Sequence, residues 1–144
     1  MKRLVLGAAL GLVCGVALAT QSRAPTVIAL QDAEVRKPPS GKASITTLAR
    51  GEQAFVGKLT LAPGGAVPQH RDPTEEYIHV LEGSGVITID GVEHALSPGA
   101  TVYMPANAEV SYANGDQELV AIQVFAGPES ADKYAAWSLE EAPD

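Results

Sequence analysis

Cysteine is almost missing from this 144-residue chain, and the one it has, Cys14, lies in the first segment. A single thiol in that place leaves no internal disulfide to staple the fold. Once that segment is removed on export, no thiol nucleophile remains either. Basic residues are scarce as well: ten Lys and Arg stand against seventeen Asp and Glu, for a net charge of −7. With no basic run anywhere, nucleic acid and anionic membrane surfaces are excluded as partners on electrostatic grounds. Internal repeats and low-complexity stretches are also lacking, which leaves one ordinary domain. Histidine occurs three times, at His70, His79 and His94.

What is present begins with an apolar run from Leu4 to Leu18, preceded by Lys2-Arg3 and followed by small residues at Ala17 and Ala19. This pattern predicts a secretory signal peptide over residues 1–19, cut before Thr20, and hence an exported protein, periplasmic or extracellular. A membrane anchor would need a span of about 20 residues. A lipoprotein anchor on Cys14 has the bulky Val13 before it, so no membrane attachment is expected after cleavage. Losing Lys2 and Arg3 subtracts two positive charges and takes the net charge from −7 to −9. The remaining ~125 residues suffice for one core.

The mature chain opens with a leader, residues 20–42. Within it Thr26–Glu34 reads as an edge strand, and Arg36 to Lys42 as a turn, because Pro38 and Pro39 cannot donate to a ladder. Ala43 to Leu48 is a short strand. From Ala54 to Leu61, Phe55, Gly57, Leu59 and Leu61 share one face and Val56, Lys58 and Thr60 the other, a period of two. Pro63-Gly64-Gly65 ends it.

Strands follow at Tyr77–Leu81, Gly85–Asp90 and Val92–Leu96, the last two joined by the hairpin signal Asp90-Gly91. Thr101–Met104, Val110–Tyr112 and Leu119–Phe125 complete the series. Such spacing predicts an all-β sandwich or barrel over residues 43–126. In the tail, residues 127–144, Ser130–Leu139 reads as one or two helical turns packing Tyr134 and Trp137 on the body.

Polar chemistry concentrates between Pro63 and Gly83. Five residues separate Gly64 from His70, one separates His70 from Asp72, three more lead to Glu76, and six more to Gly83. Downstream come Gly91, Pro98-Gly99, Pro105 and Asn114. These two motifs, in order and split by the Asp-Gly hairpin, resemble those of the cupin superfamily, small double-stranded β-helix or jelly-roll domains. The resemblance covers about Ala43 to Phe125. It implies a pocket in the barrel and, in typical members, one divalent ion (Mn, Fe, Ni or Zn) on three histidines and a glutamate.

Here His70 and Glu76 stand at family ligand positions. Asp72 replaces the second histidine, and Val110 occupies the place of the third. A His70, Asp72 and Glu76 set is harder and more anionic, suited to Mn²⁺, Mg²⁺ or Ca²⁺ before Zn²⁺. The other reading is a metal-free pocket in which His70 and Glu76 bond each other or a ligand. Glu75 is the alternative carboxylate, but a one-residue slip puts it on the opposite face. His79, three residues after Glu76, falls on the outer face, and His94 is left out of the site.

If Glu76 points inward, Ile78 and Val80 do too, and alternation from Val110 brings in Tyr112 and then Asn114. On the last strand either Ala121, Gln123 and Phe125 or Val120, Ile122 and Val124 face in. Ile78, Tyr112 and Gln123 are therefore the candidate ligand contacts, and Glu75 and Tyr112 the candidate acid or base. The leading expectation is an exported domain binding a small molecule in its barrel. The alternatives are a metal-dependent oxygenase, isomerase or lyase, and a non-catalytic scaffold with an acidic surface. Family habit also implies a homodimer paired through sheet edges.

Overall fold

The alternation that marks Phe55–Leu61 in sequence becomes strand β3 with every odd residue buried. The computed structural model describes residues 24–140; the expected signal segment, with Lys2, Arg3 and Cys14, lies outside them. Eleven strands are described: β1 (Val35–Lys37), β2 (Ala43–Arg50), β3, β4 (Ala66–Arg71), β5 (Glu75–Glu82), β6 (Gly85–Ile89), β7 (Val92–Leu96), β8 (Thr101–Met104), β9 (Glu109–Asn114), β10 (Leu119–Ala126) and β11 (Ser138–Leu139). They form two antiparallel sheets, ordered β11-β1-β2-β3-β10-β5-β8 and β4-β9-β6-β7. This is the all-β jelly-roll arrangement expected from the spacing of strands and turns.

Between the sheets the largest fully buried side chains are Phe125, Ile45, Leu61 and Val80. Each such side chain contributes about 1.5–3 kcal/mol by leaving water. On β10 the burial alternates from Leu119 to Phe125, so Ala121, Gln123 and Phe125 face in while Val120, Ile122 and Val124 lie half-buried on the other face. The β6–β7 hairpin turns on Asp90 and Gly91, both at positive φ (47° and 81°), with Ile89 opposite Val92. Two positive values are the signature of a type I′ turn, whose twist matches the strands it joins.

Gly83 explains itself in the structure. Its φ is +81°, and a Cβ there would run into the Glu118 carbonyl and lie 2.8 Å from the Leu119 Cα. Only glycine lets β5 end against β10 in this way.

Two expectations need correction, and one strand was not expected. Thr26–Glu34 is not an edge strand: apart from a short 3-10 turn at Leu30–Asp32 it is irregular, and Val27 is 99% exposed. The strand comes later, at Val35–Lys37, running into the stretch read as a turn from Arg36, because Arg36 pairs with Ile45 on one side and Leu139 on the other. The segment around His70, to which the sequence assigned no strand, forms β4. It shows no apolar alternation and contains Pro68, which an edge strand tolerates, and its ladder to β9 is broken by a register shift between Val67 and His70.

The tail adopts a 3-10 helix at Pro128–Ala136 before β11 pairs with β1. Tyr134 lies under it, 7% exposed, with its ring 6.1 Å from Phe55, 6.5 Å from Phe125 and 4.9 Å from Trp137. The expected aromatic pair does pack on the body. Among the described residues no helix is long and apolar enough to cross a membrane.

Candidate functional site

The two sheets leave between them a cavity of about 380 Å³, within the range of small-ligand sites. Its walls are apolar: Leu59, Ile78, Ile87, Leu96, Met104 and Val110 all face it. Tyr112 and Gln123 line it beside Ile78, and of the two faces left open for the last strand the buried one carries Ala121, Gln123 and Phe125. Ser40 and Lys42 also line the cavity, and His70, Glu76, Lys133 and Tyr134 form one polar end of it.

Two hydrogen-bond networks build that end. The first is buried and runs through side chains of three elements. Tyr134 donates its hydroxyl to Gln123 Oε1 at 2.7 Å, and Gln123 Nε2 donates to Glu76 Oε1 at 2.6 Å. Burial pushes the Glu76 carboxyl above its ordinary range, because water is withdrawn from the charged form; the Gln123 bond only partly offsets this. Burial likewise pushes the Tyr134 phenol far up, with the nearby Glu76 charge acting in the same direction.

The second network is charged. Lys133 Nζ donates to both oxygens of Asp72, at 2.8 and 2.7 Å. His70 Nε2 stands 3.4 Å from Asp72 Oδ2, and its Nδ1 is 2.9 Å from the Pro68 carbonyl. A carbonyl only accepts, so Nδ1 carries a proton, and the Asp72 carboxylate favours a second proton on Nε2. That hydrogen bond raises the His70 pKa against the opposing effect of burial. For Asp72, burial pushes the carboxyl up, but the hydrogen bonds from His70 and Lys133 outweigh it and hold the group below its usual range.

His70, Asp72 and Glu76 can each bring one ligand atom within 4.8 Å of the others. The residues that the cupin resemblance implied are therefore brought together, as a group of the kind that can hold a metal ion. Their present bonding suits a different cation. Both Asp72 oxygens are taken by an ammonium group, Glu76 accepts from an amide, and Val110, opposite His70 in the ladder, offers no ligand atom. With Lys133 in place the set does not fit a resident divalent ion, because that ion would meet a positive charge already on its carboxylate.

Glu75 is corrected. It lies on the outer face of β5, where Tyr77 and Tyr103 donate to its carboxylate at 3.1 and 3.2 Å. Register explains this: Glu76 is buried, so its neighbour must point away. His79 is exposed on the same outer face, bonded to Thr101 at 2.8 Å, and His94 is exposed on β7. The Tyr112 hydroxyl reaches Asn114 Oδ1 at 3.3 Å, while the Asn114 amide donates to the Leu61, Ala62 and Gln117 carbonyls and ties down the turn.

Lys133 was not among the forecast residues, and Tyr134 was forecast only as packing. Neither belongs to a motif. The one local signal was a lysine beside a buried aromatic in a segment already expected to fold onto the barrel.

The Cupin_2 (Cupin domain) family model matches residues 57–125. The chain is 34% identical over 87 residues to the dimethylsulfoniopropionate lyase DddW of Ruegeria pomeroyi, a match covering 57% of each chain. It is 30% identical over 74 residues to Protein SchB of Streptomyces halstedii, covering 50% of this chain and 54% of that one. The matched region thus spans little more than half the length of these curated relatives.

Among solved structures, an RmlC-like cupin from Shewanella frigidimarina superposes with a TM-score of 0.66 at 16% identity, over 74% of this chain and 94% of that one. The polyketide cyclase RemF of Streptomyces resistomycificus does so at 0.62 and 19%, over 71% and 79%. At such identities the likeness is one of fold.

Proposed function

Because the chain belongs to the cupin superfamily, we propose that it binds a small, largely apolar molecule in its barrel, with the molecule's polar end at His70, Glu76 and Lys133. The observation that carries this reading is the cavity of about 380 Å³, lined mostly by apolar side chains and meeting His70, Glu76 and Lys133 at one end. The protein does this work after export, since Lys2-Arg3, the apolar run to Leu18 and Ala17-Leu18-Ala19 have the signal-peptide pattern. Intact mass of the protein recovered outside the cytoplasm tests that step: a chain beginning at Thr20 is expected, and a full-length chain retained in the cytoplasm refutes it.

Ligand binding is tested by thermal shift against a panel of small carboxylic acids, phenols and neutral analogues. A binder at a hundred times its Kd adds about 2.7 kcal/mol of stability. Ile78→Trp fills the cavity from its wall and is expected to abolish the shift while the fold persists. Shifts of equal size in wild type and Ile78→Trp would place binding elsewhere.

A second reading, lyase activity, is favoured by the similarity to the R. pomeroyi enzyme. A lyase that takes a proton from carbon needs a base poised near neutral pH. Glu76, buried and pushed above its ordinary range, is the carboxylate shifted in that direction. His70, held toward its protonated form, is suited to donate a proton or to bind an oxyanion. On this reading Glu76→Gln lowers turnover by about 10²-fold or more; unchanged turnover removes Glu76 from the role.

A further inference from the structure

The pairing of Lys133 with Asp72 carries an inference that holds whatever ligand the cavity takes. We propose that Lys133 is the resident cation of this site, a covalently tethered charge that stands in for a divalent ion and keeps one out.

Four observations support it. The Lys133 ammonium makes two short bonds to one carboxylate, using both Asp72 oxygens. That carboxylate side chain is only 10% exposed, while the Lys133 side chain is 37% exposed, so the pair is shielded from solvent on its carboxylate side. The ammonium also lies 4.8 Å from the centre of the Phe125 ring and 5.6 Å from that of Tyr134, positions in which aromatic faces stabilise a cation. Finally, the backbone that delivers it is fixed on both sides. Ser130 bonds Thr74 at 2.5 Å, Asp132 bonds Arg50 at 2.6 Å, and Tyr134 bonds Gln123.

Val110 fits the same logic. It lies directly across the ladder from His70 and is buried in the cavity wall. A set of one imidazole and two carboxylates with a fixed ammonium is close to charge-balanced without any ion. The same set with an added divalent charge is not, and the ammonium would have to leave its carboxylate first. Lys133 has three N–H donors, two of them spent on Asp72, so one remains for the aromatic face or for an oxygen of a bound molecule.

The test is metal uptake, read by equilibrium dialysis with elemental analysis and by the Mn²⁺ spin-resonance signal, on protein purified without a metal-affinity tag. Wild type is expected to hold less than about a tenth of an equivalent of Mn²⁺, Ni²⁺ or Zn²⁺. Lys133→Met is expected to bind at least about tenfold more tightly. Because that variant strands a shielded carboxylate and risks unfolding, the double variant Lys133→Met with Asp72→His is made beside it. The double variant removes the unpaired charge and supplies a neutral donor, and it is expected to bind close to one equivalent. A full equivalent in wild type overturns the proposal. So does a folded double variant that gains no affinity, since Lys133 would then not be what keeps the ion out. Loss of ligand binding in the cavity-filling variant bears only on the ligand reading.

Discussion

Tyr134→Phe removes one oxygen atom and tests whether the buried network matters. Among the described residues no buried side-chain polar atom lacks a partner. The variant would create one, Gln123 Oε1, in a residue only 4% exposed. A stranded buried acceptor costs about 1–3 kcal/mol, which for a domain of this size lowers Tm by roughly 3–6 °C per kcal/mol. The aromatic ring stays among Phe55, Phe125 and Trp137, so no cavity term is added.

The pH dependence gives the same prediction a second, sharper form. Burial raises the Tyr134 phenol pKa above its unfolded value of about 10. The folded state therefore keeps a proton that the unfolded chain releases in alkali. This stability is fully present below pH ~10 and falls by about 1.4 kcal/mol per pH unit above it. Phenylalanine has no proton to lose, so a deficit of about 2 kcal/mol at pH 7 closes near pH 11.5. Urea unfolding followed by the fluorescence of Trp137, the single tryptophan, measures both. A deficit under about 0.5 kcal/mol at pH 7, or one that stays constant to pH 11.5, refutes the reasoning.

Two further predictions follow from the same end of the barrel and from its motif glycine. Glu76 has a folded pKa above its unfolded value, so its proton is held more tightly in the fold. Stability is full below the unfolded pKa of about 4.5 and declines as pH rises toward the folded value. Glu76→Gln keeps an acceptor for Gln123 and should raise Tm at pH 7 by a few degrees, with the gain vanishing near pH 4; a variant less stable than wild type at pH 7 contradicts the cost assigned to this carboxyl. Gly83→Ala places a Cβ against Glu118 and Leu119 at positive φ. It should cost about 2 kcal/mol or more in chemical denaturation, and a loss under about 0.5 kcal/mol would mean that the β5 end shifts freely.

The strands legible in the sequence were those with one clear inward face. Phe55, Leu59 and Leu61 on β3 and Glu76, Ile78 and Val80 on β5 announce themselves by alternation, and the structure buries each. Strand β10 is apolar on both faces, so sequence alone left Gln123 undecided; position between β3 and β5 settles it. Strand β4 stayed hidden because it is a polar edge strand with a proline. Its pairing is imposed by β9 and not by any pattern of its own. The tail chemistry was illegible for another reason: Lys133 meets Asp72 across 61 residues. No local period carries that information.

That long-range contact changes what the site is made of. The family motifs supply Glu76, His70 and the place of Asp72, all inside residues 57–125. Lys133, which bonds Asp72 and helps hold its carboxyl low, and Tyr134, which bonds the Gln123 that bonds Glu76, are adjacent residues outside that region. Lys133 ties the 3-10 helix to the loop after β4, and Tyr134 ties it through Gln123 to β5. The two bonds share one short backbone, so moving that helix breaks both at once. Glu76 would then keep its burial while Gln123 lost the tyrosine that orients it, and Asp72 would lose its cation. The polar end of the cavity is therefore built cooperatively, and the C-terminal segment belongs to the site as much as the motif that first marked it.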